Sequence, residues 1–374
     1  MPILFSIIIP CYNQAHFLSD CLDSMIAQQY PNWEAIVVND GSTDNSTEVA
    51  KAYQEKDPRI KLIIKNNGGL SSARNEGLLH TGGDRYIFLD ADDFLYSNCL
   101  SVLSKHTEIN NDFTLIQYGY SYISEKKEKL LQTVFPKEKK QLIPDIFLNI
   151  LAPCHSICIS KKLIDISGKF DEGLKSLEDW DYWIRAAKSG AKHAIILEPL
   201  VFYRYVKNSM SRNASIMYES YKTVAQRAVC EDSRISAHSD INKDYHYDMS
   251  FTLQRGLISV LGVSIMQNKI EESILLFNKE SKIEYKNYRP KDFEPMCSYL
   301  SFRYWYEKKD IEIVFSDLRP RFENFFNELG YDRAFTRQAI YFIFKRHLFI
   351  RNKNKYGSLL GSVVNFFLRK KYAA

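Results

Sequence analysis

The sequence has no uninterrupted apolar run of about 18 residues, the length a membrane-crossing helix needs, so it is not read as an integral membrane protein. Met1 to Pro10 carries neither a basic leader nor a cleavage site, and its apolar core, Ile3 to Ile9, is too short for a signal; it reads as a first strand. Cysteine is sparse: seven residues, an odd number, with no C-x-x-C and the closest pair at Cys154 and Cys158. That excludes a disulfide framework and a zinc ribbon and points to a reducing cytoplasm. Glycine-rich phosphate loops are missing too. Neither G-x-x-x-x-G-K-[ST] nor G-x-G-x-x-G occurs, so a bound phosphate would be held mainly by a metal. No internal repeat period emerges.

What is present is enough to fold. At 374 residues with 45% hydrophobic content the chain can bury a sizeable core, and it should hold about two domains. The net charge of +5 hides an asymmetry: Tyr331 to Ala374 carries ten Lys and Arg against one acid, Asp332. These bases interleave with Tyr341, Phe342, Phe344, Phe349, Phe366 and Phe367. Such a tail either lies on an anionic membrane or docks on its own domain with its bases solvated. No nucleic-acid partner is expected, and no feature fixes an oligomeric state.

From Met1 to about Tyr96 the pattern alternates. Strands are expected at Leu4–Pro10, Glu34–Val38, Ile60–Ile64 and Tyr86–Leu89, and helices at Ala15–Gln28, Thr43–Lys56 and Ser71–His80. Phe17, Leu18, Cys21, Leu22 and Met25 give the first helix one apolar face. Such alternation makes a doubly wound, mainly parallel sheet whose ligands sit beyond the carboxyl ends of the strands. Further strands are expected from Leu103 to Phe135, with a Lys-rich hairpin at Glu125–Lys129, and again at Leu197–Tyr205. From Tyr218 to Ser281 and from Phe293 to Leu329 helical periodicity dominates. The expected division is 1–212, an α/β domain with a mixed sheet between helices; 213–330, a smaller all-α domain; and 331–374, the basic aromatic tail.

Polar loops fall where a ligand would sit: Cys11-Tyr12-Asn13 after the first strand, Asn39-Asp40-Gly41-Ser42 after the second, and Asp90-Ala91-Asp92-Asp93 after the fourth. Asp90 and Asp92, two apart on an extended chain, point the same way and can share one hard cation, Mg2+ or Mn2+, with Asp93 as a spare; alone, the motif also suits a polar turn. The Asn39–Thr43 loop suits a base or ribose, or is an ordinary strand-to-helix turn. Arg74, in the third helix, could neutralise phosphate or pin Asp40. His155 lies in an apolar context that fits a core residue better than a ligand. Ser176 to Arg185 reads as a helix with an apolar stripe of Leu177, Trp180, Ile184 and Ala187, and Ser176 and Asp179 stand in capping-box spacing. Held near a helix N-terminus between Trp180 and Trp183, Asp179 is also a rigid general-base candidate.

In order, Ile7-Ile8-Ile9-Pro10-Cys11-Tyr12-Asn13, Asn39-Asp40-Gly41-Ser42-Thr43-Asp44, Ala73-Arg74-Asn75, Asp90-Ala91-Asp92-Asp93 and Glu178-Asp179-Trp180 resemble the motifs of family 2 glycosyltransferases of the GT-A fold, over residues 1 to about 212. The resemblance implies that Pro10, Tyr12, Asn13, Asp40 and Arg74 frame the nucleotide of a nucleotide-sugar, usually UDP-linked, and that Asp90 contacts ribose or sugar. It implies that Asp92 holds the metal on the diphosphate and that Asp179 is the base of an inverting transfer. One departure stands out: relatives carry a His after a Tyr-Arg pair, and here Tyr203-Arg204-Tyr205-Val206 has Val206. Either Arg204, Lys207 or Arg212 then handles the diphosphate, or the metal has a thinner shell, or catalysis is weakened; Glu178 is expected near the acceptor or diphosphate. The Gln-x-x-Arg-Trp motif and membrane spans of processive relatives are missing, so transfer of one sugar is expected. The resemblance implies a cytoplasmic enzyme, peripheral at the inner face of the membrane. Its acceptor would be a glycan or lipid-linked oligosaccharide of a bacterial surface polysaccharide. The rival expectation is a catalytically silent module of the same fold that binds nucleotide-sugar or a partner.

Overall fold

The computed structural model describes residues 2–109, 114–138, 142–206, 213–237, 239–298 and 311–349. Lys207, Arg212 and the tail beyond 349 lie outside these. Two compact units form, Met1–Val206 with Gln226–His246, and Lys207–Ala225 with Tyr247–Ala374.

In the first unit, β1 (Phe5–Cys11), β2 (Trp33–Asp40), β3 (Ile60–Lys65) and β4 (Arg85–Phe88) alternate with α1 (Ala15–Ile26), α2 (Ser46–Lys56) and α3 (Leu70–Leu79). The runs Ile7-Ile8-Ile9 and Ala35-Ile36-Val37-Val38 are apolar at every position, as required of parallel strands covered on both faces, and all seven side chains are fully buried. Register does the positioning. Phe5 pairs with Trp33 and Cys11 with Asn39, while Ile8 pairs with Phe88. The loops at Tyr12, Gly41 and Asp90 therefore leave the sheet at one edge.

The remaining strands are β5 (Phe94–Leu95), β6 (Thr114–Ser124), β7 (Leu130–Val134), β8 (Ile157–Ser160) and β9 (Lys192–Tyr205). Among the described residues nine strands form one mixed sheet in the order β3-β2-β1-β4-β8-β6-β9-β5, with β7 on β6. β8 is antiparallel to β4 and β6, whereas β6 and β9 run parallel. The β6–β7 hairpin turns in the Lys-rich stretch. One expectation is corrected: Leu103 onward is not strand but part of α4 (Cys99–Ile109), because Leu100, Leu103 and Thr107 recur at helical spacing and are buried together. Short helices α5 (Asp145–Leu148) and α6 (Lys161–Ser167) precede α7 (Glu178–Lys188). All seven cysteines are unpaired, and only Cys230 is exposed.

The second unit is helical. Its core joins α8 (Ala214–Ala228), which crosses the point of division, to α9 (Ser250–Met266), α10 (Ile270–Glu280) and helix Ile311–Glu328. A helix over 333–349 adds Ala339, Ile340, Ile343, Phe344 and Leu348 to that core, leaving Arg337 and Arg346 exposed. Phe344 is thus a core residue and not a membrane-facing one. Helical periodicity after Tyr218 is also broken: 229–237 and 239–249 are turn and coil, and Gln226–His246 counts with the first unit. No helix among the described residues is long and apolar enough to cross a membrane.

Candidate active site

At the shared edge of β1, β2 and β4 the loops are tied to one another. Asn13 takes a left-handed conformation, φ 53°. Its N–H donates to Ser42 Oγ at 2.9 Å and its Oδ1 accepts from the Thr43 N–H at 2.8 Å. Tyr12 stands half exposed, and Pro10 is buried one residue before the end of β1. Asp40, 2% exposed, is held from below: Oδ1 accepts from Lys65 Nζ at 2.8 Å and from the Gly68 N–H at 2.9 Å, and Oδ2 from the Gly69 N–H at 2.7 Å. Gly69 must be glycine for that approach, since its φ is +89°. The cation on Asp40 is thus Lys65, not Arg74. The sequence signal that could have found it is the parallel register that sets Asp40 beside Lys65.

Arg74 does something else. Buried at 2% exposure, it donates through Nη2 to Asp90 Oδ1 at 2.9 Å and through Nη1 to Glu178 Oε1 at 2.6 Å. It thereby joins the acid cluster after β4 to the start of α7, which lies 104 residues beyond Arg74. Its guanidinium lies 5.3 Å from the Phe170 ring centre. Burial works against its charge, yet neighbouring Cys154, Asp90 and Glu178 raise Arg74 well above its ordinary value.

Within the cluster the three carboxylates differ. Asp90 is 31% exposed and Asp93 is fully buried. Asp93 Oδ1 accepts from the Arg204 N–H at 2.7 Å, and Oδ2 lies 2.7 Å from His155 Nδ1. His155 is 1% exposed, its Nε2 has no hydrogen-bond partner, and it stands 4.5 Å from the Tyr203 ring centre. Burial alone would lower it, yet Asp93 raises its pKa. Asp92 is pushed well above the usual carboxylate range, by burial first and then by Asp93 and Asp90. Asp93 is raised as well, chiefly by burial.

Among the described residues, Asp90, Asp93 and His155 bring ligand atoms within 4.8 Å of one another. This donor set, with Asp92 destabilised among like charges, fits a divalent cation. Asp92 is the ligand and His155 the core residue expected from the sequence; the fold brings the His155 imidazole to the cluster from a short turn at Cys154–Ser156, which no spacing in the chain reveals.

Asp179 sits in the first turn of α7. The expected capping box does not form: the helix starts at Glu178, and Leu177 before it is left-handed, φ 60°. Instead Asp179 Oδ1 accepts from the Trp180 N–H at 2.7 Å, while Trp180 and Trp183 are fully buried and Trp180 Nε1 donates to Ile146 O at 2.6 Å. Burial, then neighbouring Glu178, push Asp179 up to about 7, with Arg74 pulling the other way. Arg204 is committed elsewhere. Its Nε donates to Asp92 O, its Nη1 to Glu125 O and its Nη2 to Asp20 Oδ2, so its guanidinium braces the loop instead of meeting a diphosphate as expected.

A family profile described as Glycosyl transferase family 2 matches residues 6–165, which carry every loop of this edge. Over these residues the chain is similar to glycosyltransferase family 2. An uncharacterized glycosyltransferase of Rickettsia typhi is 35% identical over 190 residues, 49% of this chain and 58% of the relative. The uncharacterized glycosyltransferase EpsJ of Bacillus subtilis is 30% identical over 217 residues, 56% of this chain and 63% of the relative. The chain thus spans about six-tenths of these two relatives. A structure of S. aureus TarS 1-349 in complex with UDP-GlcNAc superposes with a TM-score of 0.51 at 17% identity, over 95% of this chain and 93% of that one. This likeness supports a GT-A-type fold.

Proposed function

We propose that this chain is an inverting glycosyltransferase that moves one sugar from a nucleotide-sugar, UDP-linked, to a hydroxyl of a glycan or lipid-linked oligosaccharide acceptor. The observation that carries it is Arg74, which ties Asp90 and Glu178 together and so sets a carboxylate with a pKa of about 7, Asp179, beside the acid cluster. A general base works best when its pKa is near the working pH. In the reaction the acceptor oxygen forms a bond to the anomeric carbon as the bond from that carbon to the diphosphate oxygen breaks. The acceptor proton goes to Asp179, and the configuration inverts. Tyr12, Asn13 and Asp40 frame the nucleotide, and Asp90 orients ribose or sugar. Asp92 would hold Mn2+ or Mg2+, with the buried Asp93–His155 pair supporting it; when bound, the cation supplies positive charge against the leaving diphosphate.

A role in surface polysaccharide synthesis fits an acceptor of this class. Arg351, Lys353, Lys355, Arg369, Lys370 and Lys371 would favour a peripheral position at an anionic membrane face, weakened by salt. The test is nucleotide release from a panel of nucleotide-sugars with Mn2+. UDP release that depends on the cation supports the reading; nucleotide binding without release from any donor would favour a silent binding module.

A further inference from the structure

The segment that leaves the helical pattern, Gln226–His246, counts with the first unit and carries Arg234, whose guanidinium meets α7 at Asp181. Asp181, 2% exposed, accepts from Arg234 Nη2 at its Oδ1, 2.9 Å, and from Nη1 at its Oδ2, 3.1 Å. That is a two-pronged carboxylate contact, which fixes direction as well as distance. The same guanidinium reaches Asp171 Oδ2 at 3.2 Å, and its own loop holds it in place, with Asp232 accepting from Nε at 2.9 Å and from Nη2 at 2.6 Å. Arg227 also pairs with Asp171, at 2.5 Å, and Arg185 Nε donates to Asp181 at 3.1 Å. Further along, Ser239 Oγ donates to Lys188 O at 2.7 Å and Lys188 Nζ donates to Cys230 O. The returning segment therefore grips α7 at both ends.

Glu178 and Asp181 are three residues apart, so they lie on neighbouring positions one turn along the helix with Asp179 between them in sequence. Two arginines from distant parts of the chain thus fix the turn that carries Asp179. Asp171 extends the link, because it follows Phe170, which stacks on Tyr182 of α7 at 4.1 Å and lies under the Arg74 guanidinium. We propose that Arg234 is a positioning residue: through Asp181 it holds the first turn of α7 so that Asp179 meets the acceptor hydroxyl in line. The role of Asp179 itself rests on the function proposed above.

The experiment combines hydrogen exchange with kinetics on the full chain for Arg234→Met, Arg234→Lys and, in case the first does not fold, Asp181→Asn. In Arg234→Met the amides of residues 178–188 should exchange roughly tenfold faster with those of β1 and β2 unchanged. In the same variant kcat should fall about tenfold or more with the donor KM within about twofold, and Arg234→Lys should recover part of it. Asp181→Asn should behave as Arg234→Met does. Unchanged exchange in α7 would overturn the proposal, and so would faster exchange with kcat per folded molecule intact. Failure of the base assignment appears separately, as an Asp179→Asn enzyme that still turns over, and the exchange measurement does not depend on it.

Discussion

Asp179→Asn should make the protein more stable at pH 8 while abolishing turnover. A free aspartate titrates near 3.9, whereas burial and Glu178 push Asp179 up to about 7 in the folded protein. Folding therefore favours the protonated form. Its contribution to stability is fully present below about pH 4 and is lost as pH rises through about 7. A difference of about 3 units corresponds to about 4 kcal/mol at pH 8, and relaxation around a partly exposed turn reduces this to about 2–4 kcal/mol. Asparagine keeps the shape and can still accept the Trp180 N–H, but it never bears the buried charge. For a unit of this size the gain appears as a rise of about 5–10 °C in Tm. The assay is thermal unfolding of wild type and variant at pH 5 and pH 8, with turnover at pH 8 falling about 100-fold or more. The stability gap should be wide at pH 8 and shrink at pH 5. A gap of the same size at both pH values, or none, would refute the reasoning, because it would mean that Asp179 is ionised in the folded protein at no extra cost.

Arg74→Met leaves Asp90 and Glu178 without their shared cation and should cost about 3 kcal/mol, read as denaturant midpoint. It also removes the charge that pulls Asp179 down, so the acidic limb of the kcat profile should move to higher pH. Asp92→Asn should weaken Mn2+ binding, measured by calorimetry, about tenfold or more with little loss of Tm, whereas Asp93→Asn, which breaks the His155 contact, should lower Tm. Equal Mn2+ affinity in wild type and Asp92→Asn would reassign the cation to Asp90, Asp93 and His155.

Much of the first unit was legible because its signals are local. Uninterrupted Ile and Val runs, helices with one apolar face and polar loops between them dictate buried parallel strands and put Tyr12, Asp40 and Asp90 at one edge. What stayed hidden depends on contacts across long stretches of chain. Nothing near Arg74 in sequence reveals that it bridges Asp90 to Glu178, nor does the apolar setting of His155 disclose Asp93 facing it. The capping box does not form although Ser176 and Asp179 have the right spacing, because Leu177 turns left-handed and the helix starts one residue later. Arg204 looked available for phosphate because Val206 left a gap, yet the backbone oxygens of Asp92 and Glu125 and the carboxylate of Asp20 engage its guanidinium. The return of Gln226–His246 was invisible for a similar reason: Arg234 finds Asp181 more than fifty residues away.

The account stands most directly on a single comparison, nucleotide release from a nucleotide-sugar with acceptor and Mn2+ by wild type and by Asp179→Asn, alongside nucleotide binding by both. Release by wild type only, with equal nucleotide affinity in the two proteins, is the expected result; release by the variant at the wild-type rate would contradict the role of Asp179.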